Sequence, residues 1–295
     1  MVTSIDIEVA VPGGRLHAVR RGVADAPPVL LIHGLTASQV SLRGVADALP
    51  DLNTIAVDLR GRGASAQLPG PYGMARHADD LVALMDSEHL DQVVVTGHSM
   101  GAFVALVLAH RHPGRVSWLV LVDGGPVVPM PEGADPEVVM QAVVGASLTR
   151  LGMTFSTREA YLDFWRAHPA FAGRWNPLIE AYVDHDLVGE PPDLRSRVNA
   201  EAVRGDNIDI LTGHDLADAN EQLAHPTVLL LASRGMQDDP APLYPQPVVD
   251  GWLATSPTAS ARRLDDLNHY MIVFDPRGIA EITTEIRAAV RQSTR

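Results

Sequence analysis

The chain contains no cysteine. Disulfides, thiolate nucleophiles and cysteine-ligated metal sites are therefore excluded. No apolar run is long enough to span a bilayer. The N-terminus lacks the apolar core of a secretory signal, and Arg20-Arg21 leads into Gly22-Val23-Ala24-Asp25, which is no twin-arginine signal. A cytoplasmic protein is the expectation. The formal net charge is −13, yet like charges form no block. That balance argues against nucleic acid and against an anionic membrane surface as partners. No internal repeat or low-complexity tract is present. Aromatic residues are scarce, with five Phe, five Tyr and four Trp.

What the chain does have is enough apolar sequence for a large core. It is 295 residues long, 46% hydrophobic and 20% charged, the profile of a soluble globular protein. Ile5, Ile7, Val9 and Val11 alternate with polar residues, Gly13-Gly14 turns the chain, and Leu16, Ala18 and Arg20 return, which predicts a β-hairpin with one buried face. Apolar sequence predicts strands at Val29–Ile32, a continuous run, and at Thr54–Val57, Val93–Val95, Trp118–Val122 and Thr227–Ala232, and a last strand is expected at Ser260–Leu264. Helical periodicity falls between them, near Ser38–Leu49, Met74–Ser87, the run after Ser99, and Ile279–Arg291. Strands alternating with helices predict a mostly parallel, doubly wound α/β sheet with an antiparallel start.

The interval from about Gly124 to Pro226 breaks this rhythm. It opens on a Pro/Gly-rich stretch, Pro126 to Pro136, and shows helical patterns near Glu137–Leu151, Thr157–His168, Phe171–Val188 and Asp193–Ala202, with no convincing strand. Half of the aromatic residues lie here: Phe155, Tyr161, Phe164, Trp165, Phe171, Trp175 and Tyr182. Large side chains would build the core of a small helical unit, and a subset would line an apolar pocket beneath a lid.

In an open parallel sheet, ligands bind beyond the carboxyl ends of the strands. The residues predicted there are His33, Asp58, Ser99, Asp123, Asp238 and His269. Gly97-His98-Ser99-Met100-Gly101 fits G-x-S-x-G between a buried strand and a helix, the setting of a nucleophile elbow. The tight turn strains the serine and tolerates only small neighbours two residues away. A serine hydroxyl needs a base, and His269, in a short loop after the last predicted strand, is the choice. His98 adjoins Ser99 in the turn and points away from it. His110 and His112 suit a helix C-terminus, and His168, His185, His214 and His225 lack metal-ligand spacing. The histidine in turn needs a carboxylate. Asp238, a few residues past the Thr227–Ala232 strand, is favoured, with Asp239 and Asp123 as rivals. The backbone N–H groups of Leu35 and Met100 are the expected oxyanion donors, and Gly34 allows the backbone a close approach.

Taken together, His33-Gly34, Asp58-Leu59-Arg60-Gly61-Arg62-Gly63-Ala64-Ser65, Gly97-His98-Ser99-Met100-Gly101, Gly235 ahead of Asp238, and Asn268-His269 make the chain resemble the α/β-hydrolase fold superfamily along nearly its whole length. In the lidded members a stretch similar to Asp58–Ser65 shapes a loop near the site, so Asp58 and Arg60 are read as structural. Leu42-Arg43 departs from the aromatic residue often found after the oxyanion histidine. The resemblance implies an eight-stranded, mostly parallel sheet, with residues 1–123 and 227–295 as the core and 124–226 as a helical cap inserted between strands 6 and 7. A serine at position 99, where epoxide hydrolases and haloalkane dehalogenases carry aspartate, implies an acyl-enzyme. The expected substrate is a small apolar carboxylic ester, with lactones and amides as neighbours in chemistry. Carbon–carbon bond hydrolysis or cofactor-free perhydrolysis on the same residues is the alternative, followed by a non-catalytic ligand-binding role. No cofactor or metal is expected, nor a membrane or nucleic-acid partner, and a homodimer stays open.

Overall fold

The computed structural model describes residues 4–127, 133–135, 138–139, 145 and 148–293. Eight strands form one sheet: β1 (Ser4–Val11), β2 (Gly14–Gly22), β3 (Pro28–Ile32), β4 (Asn53–Val57), β5 (Val93–His98), β6 (Val116–Val122), β7 (Thr227–Arg234) and β8 (Ala259–Asn268). Their spatial order is β1-β2-β4-β3-β5-β6-β7-β8. The β1–β2 and β2–β4 pairs are antiparallel, and every other pair is parallel. The expected α/β architecture with an antiparallel start is thus present.

The central strands are apolar without interruption because both faces of the sheet are covered. Leu30, Ile32, Val93, Val95, Leu119, Leu121, Leu229 and Leu231 face one core, beneath the Met74–Ser87, Met100–Arg111 and Gln246–Thr255 helices. Val29, Leu31, Val94, Val120, Val122, Val228 and Leu230 face the other, beneath Arg43–Asp47, Met271–Phe274 and Pro276–Ser293. The alternation along each strand assigns neighbours to opposite cores.

The described part of the segment between β6 and β7 carries several helices, but its details differ from the expected pattern. The predicted helix at Glu137–Leu151 falls partly outside the described residues, as does the Pro126–Pro136 stretch. Helices at Arg158–Arg166 and Pro177–Asp186 match their patterns. Asp193–Ala202 is not one helix: Arg195–Ser196 pairs with Leu187–Val188 in a short antiparallel ribbon, and Asn199 begins a helix at Ala200–Thr212. The Asn199 side-chain oxygen accepts from the N–H groups of Glu201 and Ala202, an N-cap that stops the helix from extending backward. A further helix, His214–Glu221, puts Leu216 and Ala219 into the same core as Leu106 and Leu108. Among the described residues no helix is long and apolar enough to cross a membrane.

Leu121 has 0% exposure at the centre of the sheet, whereas Ile5 on β1 is 51% exposed. Leu121→Ala should lower the unfolding free energy by about 2–5 kcal/mol in urea denaturation, and Ile5→Ala by no more than about 0.5 kcal/mol. Equal shifts would contradict the placement of the core.

Candidate active site

Ser99 follows β5 directly and precedes the Met100–Arg111 helix. Its backbone sits at φ 55° and ψ −122°, a conformation that non-glycine residues rarely adopt. The flanking glycines have steric reasons. A Cβ at Gly97 would lie 2.1 Å from the Gly101 carbonyl oxygen, and one at Gly101 would lie 2.1 Å from that of Ile32. The Ser99 N–H donates to the Val122 carbonyl at 2.9 Å, tying the turn to the end of β6.

His269 comes one residue after β8. Asn268 shapes its loop by accepting from the N–H groups of Tyr270 and Met271 at 3.1 and 2.8 Å. The imidazole Nε2 lies 3.0 Å from Ser99 Oγ, and Nδ1 lies 2.7 Å from Asp123 Oδ2. A carboxylate only accepts, so Nδ1 carries the proton and Nε2 offers its lone pair to the serine hydroxyl. Asp123 is wholly buried just past β6, and its other oxygen accepts from the Ala232 N–H at 3.0 Å.

This arrangement corrects the expectation for Asp238. β7 runs on to Arg234, beyond the predicted end at Ala232, and Arg234 Nε donates to Asp238 Oδ1 at 2.9 Å. Asn268 Nδ2 donates to the same oxygen at 3.0 Å, so Asp238 braces the loop next to His269 and makes no bond to the ring. Asp239 accepts from the Gln237 N–H within its own turn. The sequence signal for Asp123 lies in Asp123-Gly124-Gly125: a Cβ at Gly124 would come within 2.3 Å of the Ser99 carbonyl oxygen, which reveals how close this strand end is to the serine.

Leu35 and Met100 line one cavity together with Ser99 and His269. This cavity has a volume of about 260 Å³, and its walls are mostly apolar, including Phe103, Ile210, Leu211, Leu243 and Tyr244. A smaller compartment of about 50 Å³ lies beside the same serine, bounded by Thr36, Ser41, Tyr182, Tyr270 and Phe274. Among the seven aromatic residues of the inserted segment, Tyr182 alone lines either compartment. Phe155, Tyr161, Trp165 and Phe171 are buried in the same apolar cluster as Phe274 and Ile279, on that face of the sheet. Among the described residues no group of three or more His, Cys, Asp or Glu side chains could hold a metal ion.

A model of the α/β hydrolase fold family matches residues 27–175. The chain belongs to the α/β hydrolase fold family. It is 34% identical over 181 residues to lipase LipV of Mycobacterium tuberculosis, a match covering 60% of this chain and 63% of that protein. It is 36% identical over 159 residues to esterase YbfF of Escherichia coli, covering 53% of this chain and 59% of that one. In both cases the match spans less than two thirds of the relative's length. The solved structure of E-2-(acetamidomethylene)succinate hydrolase superposes with a TM-score of 0.79 at 20% identity, over 97% of this chain and 100% of that one.

In this α/β hydrolase the other histidines near Ser99 hold the frame. His33 accepts from the Leu59 N–H through Nε2 at 3.0 Å and faces the Gly34 carbonyl through Nδ1 at 2.7 Å. Those two bonds require one protonated and one bare nitrogen, hence a neutral ring. Burial lowers its pKa to about 4. His98 Nε2 donates to the His269 carbonyl at 2.9 Å, and burial, followed by the charge of His269, lowers its pKa to about 3. Asp58, expected to be structural, is buried and accepts from the N–H groups of Gln39 and Ala64 at 2.8 and 3.0 Å. Arg60 is buried against Asp80 through two bonds of 2.9 Å.

The unfolded chain protonates these histidines near pH 6.5, whereas the folded chain resists until about pH 4 for His33 and about pH 3 for His98. Their stabilising contribution is therefore complete above about pH 6.5 and lost as the pH falls toward 4 for His33 and toward 3 for His98. The melting temperature should decline over that interval, with His33 alone accounting for on the order of 3 kcal/mol. His98→Gln, whose amide nitrogen can take the place of Nε2 as donor to the His269 carbonyl, should give a shallower decline. An identical slope in wild type and variant would contradict the assignment of a buried, neutral His98.

Proposed function

We propose that this hydrolase cleaves carboxylic esters, with lactones and amides as chemically related substrates, through an acyl-enzyme on Ser99. The observation that carries the reading is the series Ser99 Oγ, His269, Asp123, with separations of 3.0 and 2.7 Å, ending on a serine in a strained turn. The chain has neither cysteine nor lysine, so its candidate side-chain nucleophiles do not include a thiolate or a primary amine. The apolar cavity supports a substrate with a hydrocarbon body.

Ser99 Oγ attacks the carbonyl carbon while His269 Nε2 takes its proton. Asp123 holds the ring and stabilises the imidazolium. The oxygen of the tetrahedral intermediate accepts from the N–H groups of Leu35 and Met100, the latter at a helix N-terminus whose dipole favours negative charge. His269 then delivers the proton to the departing alkoxide. Water, activated by the same nitrogen, attacks the acyl-enzyme and releases the acid and Ser99. The helices between β6 and β7 act as a cap over the site, with Asn207, Ile210 and Leu211 on its inner wall.

Fluorophosphonate labelling and hydrolysis of short p-nitrophenyl esters test this reading. Ser99→Ala should abolish both while leaving the circular dichroism spectrum unchanged. Asp123→Asn should reduce turnover by as much as about 10⁴-fold. Asp238→Asn should stay within about tenfold of wild type, since Asp238 acts on the loop and not on the ring. Hydrolysis retained by Ser99→Ala would overturn the nucleophile, and a loss in Asp238→Asn equal to that in Asp123→Asn would overturn the acid.

A further inference from the structure

Arg62 lies outside the Ser99–His269–Asp123 series, yet it touches both residues assigned to the oxyanion. Its Nε–H donates to the Leu35 carbonyl at 2.9 Å, and Nη2 lies 4.0 Å from Met100 Sδ. Nη1 donates to the Arg60 carbonyl at 2.9 Å and to Asp206 Oδ2. Asp206 belongs to the Ala200–Thr212 helix. Its second oxygen accepts from the Gly73 N–H at 2.6 Å, and Oδ2 also meets His77 Nε2 at 3.0 Å. Arg62, His77 and Asp206 are all at 0% exposure. The same helix carries Asn207, Ile210 and Leu211, which line the cavity at Ser99.

A buried ion pair is poor evidence for stability, because apolar residues of similar volume often serve as well. What apolar residues cannot do is hold a carbonyl in one orientation. The guanidinium is a rigid planar fork, so seating it on Asp206 fixes the direction of its Nε–H. That N–H fixes the Leu35 carbonyl, on the residue whose own N–H is assigned to the oxyanion. We propose that Arg62 is a positioning residue for the oxyanion loop, and that Asp206 makes its alignment depend on the seating of the cavity-wall helix. The inference rests on the Ser99 acyl-enzyme reading. A displaced or misaligned donor costs rate in the chemical step, whereas the reagent's initial binding depends on the cavity walls.

The test is the concentration dependence of Ser99 labelling by a fluorophosphonate, which separates the limiting rate from the half-saturating concentration. Two variants are compared with wild type, each below its melting temperature. Asp206→Asn removes the charge partner and keeps the shape. The double variant Arg62→Met with Asp206→Leu removes both charges and leaves the Leu35 carbonyl without its donor. The limiting rate should fall about tenfold or more in both, with the half-saturating concentration within about threefold of wild type. The double variant, which holds no unpaired guanidinium, should still label slowly. Wild-type labelling rates in the double variant would show that the pair only supports the fold and would overturn the proposal. So would a wild-type rate in folded Asp206→Asn. A wild type that does not label at Ser99 would instead overturn the acyl-enzyme reading, and this inference with it.

Discussion

The buried bond between Asp123 and His269, 2.7 Å long, is the contact on which the site depends. A carboxylate with no exposure to water must be fully occupied by donors. Here one oxygen takes the Ala232 N–H of β7 and the other takes the imidazole. The ring then has one tautomer and one orientation, and its remaining nitrogen faces Ser99. Three strand ends are thereby bound together: Asp123 follows β6, β7 anchors its carboxylate, and β5 presents the serine. The His98 bond to the His269 carbonyl adds a second restraint from the residue beside Ser99.

Around that contact the structure is unusually rich in buried polar groups. His33, Asp58, Arg60, Arg62, His77, Asp80 and Asp206 are each exposed by 1% or less, and the hydrogen bonds described above join them to one another or to backbone groups of the loops near the sheet's carboxyl edge. Such groups do little for net stability compared with an apolar core. Their effect is directional, since the bonds of His33, Asp58, Arg62 and Asp206 to backbone groups fix carbonyls and N–H groups in the loops that follow β3 and β4. The absence of lysine fits this use of cations, because guanidinium forks bind two or three acceptors at set angles where an ammonium acts as a point charge.

Much of this was legible in the residues. Uninterrupted Val and Leu runs give the parallel strands, because only a sheet covered on both faces tolerates them. Gly97 and Gly101 mark the turn at Ser99, and His269 is found by its place after the final strand. Which carboxylate meets His269 was not legible. Asp123 and Asp238 both follow strands, and the choice between them depends on where β7 ends and on whether Arg234 captures the nearer carboxylate, which are tertiary facts. The Ala200–Thr212 helix was misplaced for a related reason: its cap at Asn199 is a local signal, but the preceding ribbon is set by pairing between Arg195–Ser196 and Leu187–Val188. The aromatic residues of the inserted segment were visible as a cluster, yet only the packing separates Tyr182, beside the serine, from Trp165 and Phe171, which fill the core.

The central claim is that Asp123 holds the His269 ring. Proton NMR of the resting protein tests it most directly and needs no substrate. A proton shared between an imidazole Nδ1 and a buried carboxylate resonates far downfield of ordinary amides. The account predicts such a resonance in the wild type and in Asp238→Asn, and its loss in Asp123→Asn. A resonance that survives in Asp123→Asn, or that disappears in Asp238→Asn while remaining in Asp123→Asn, would contradict it.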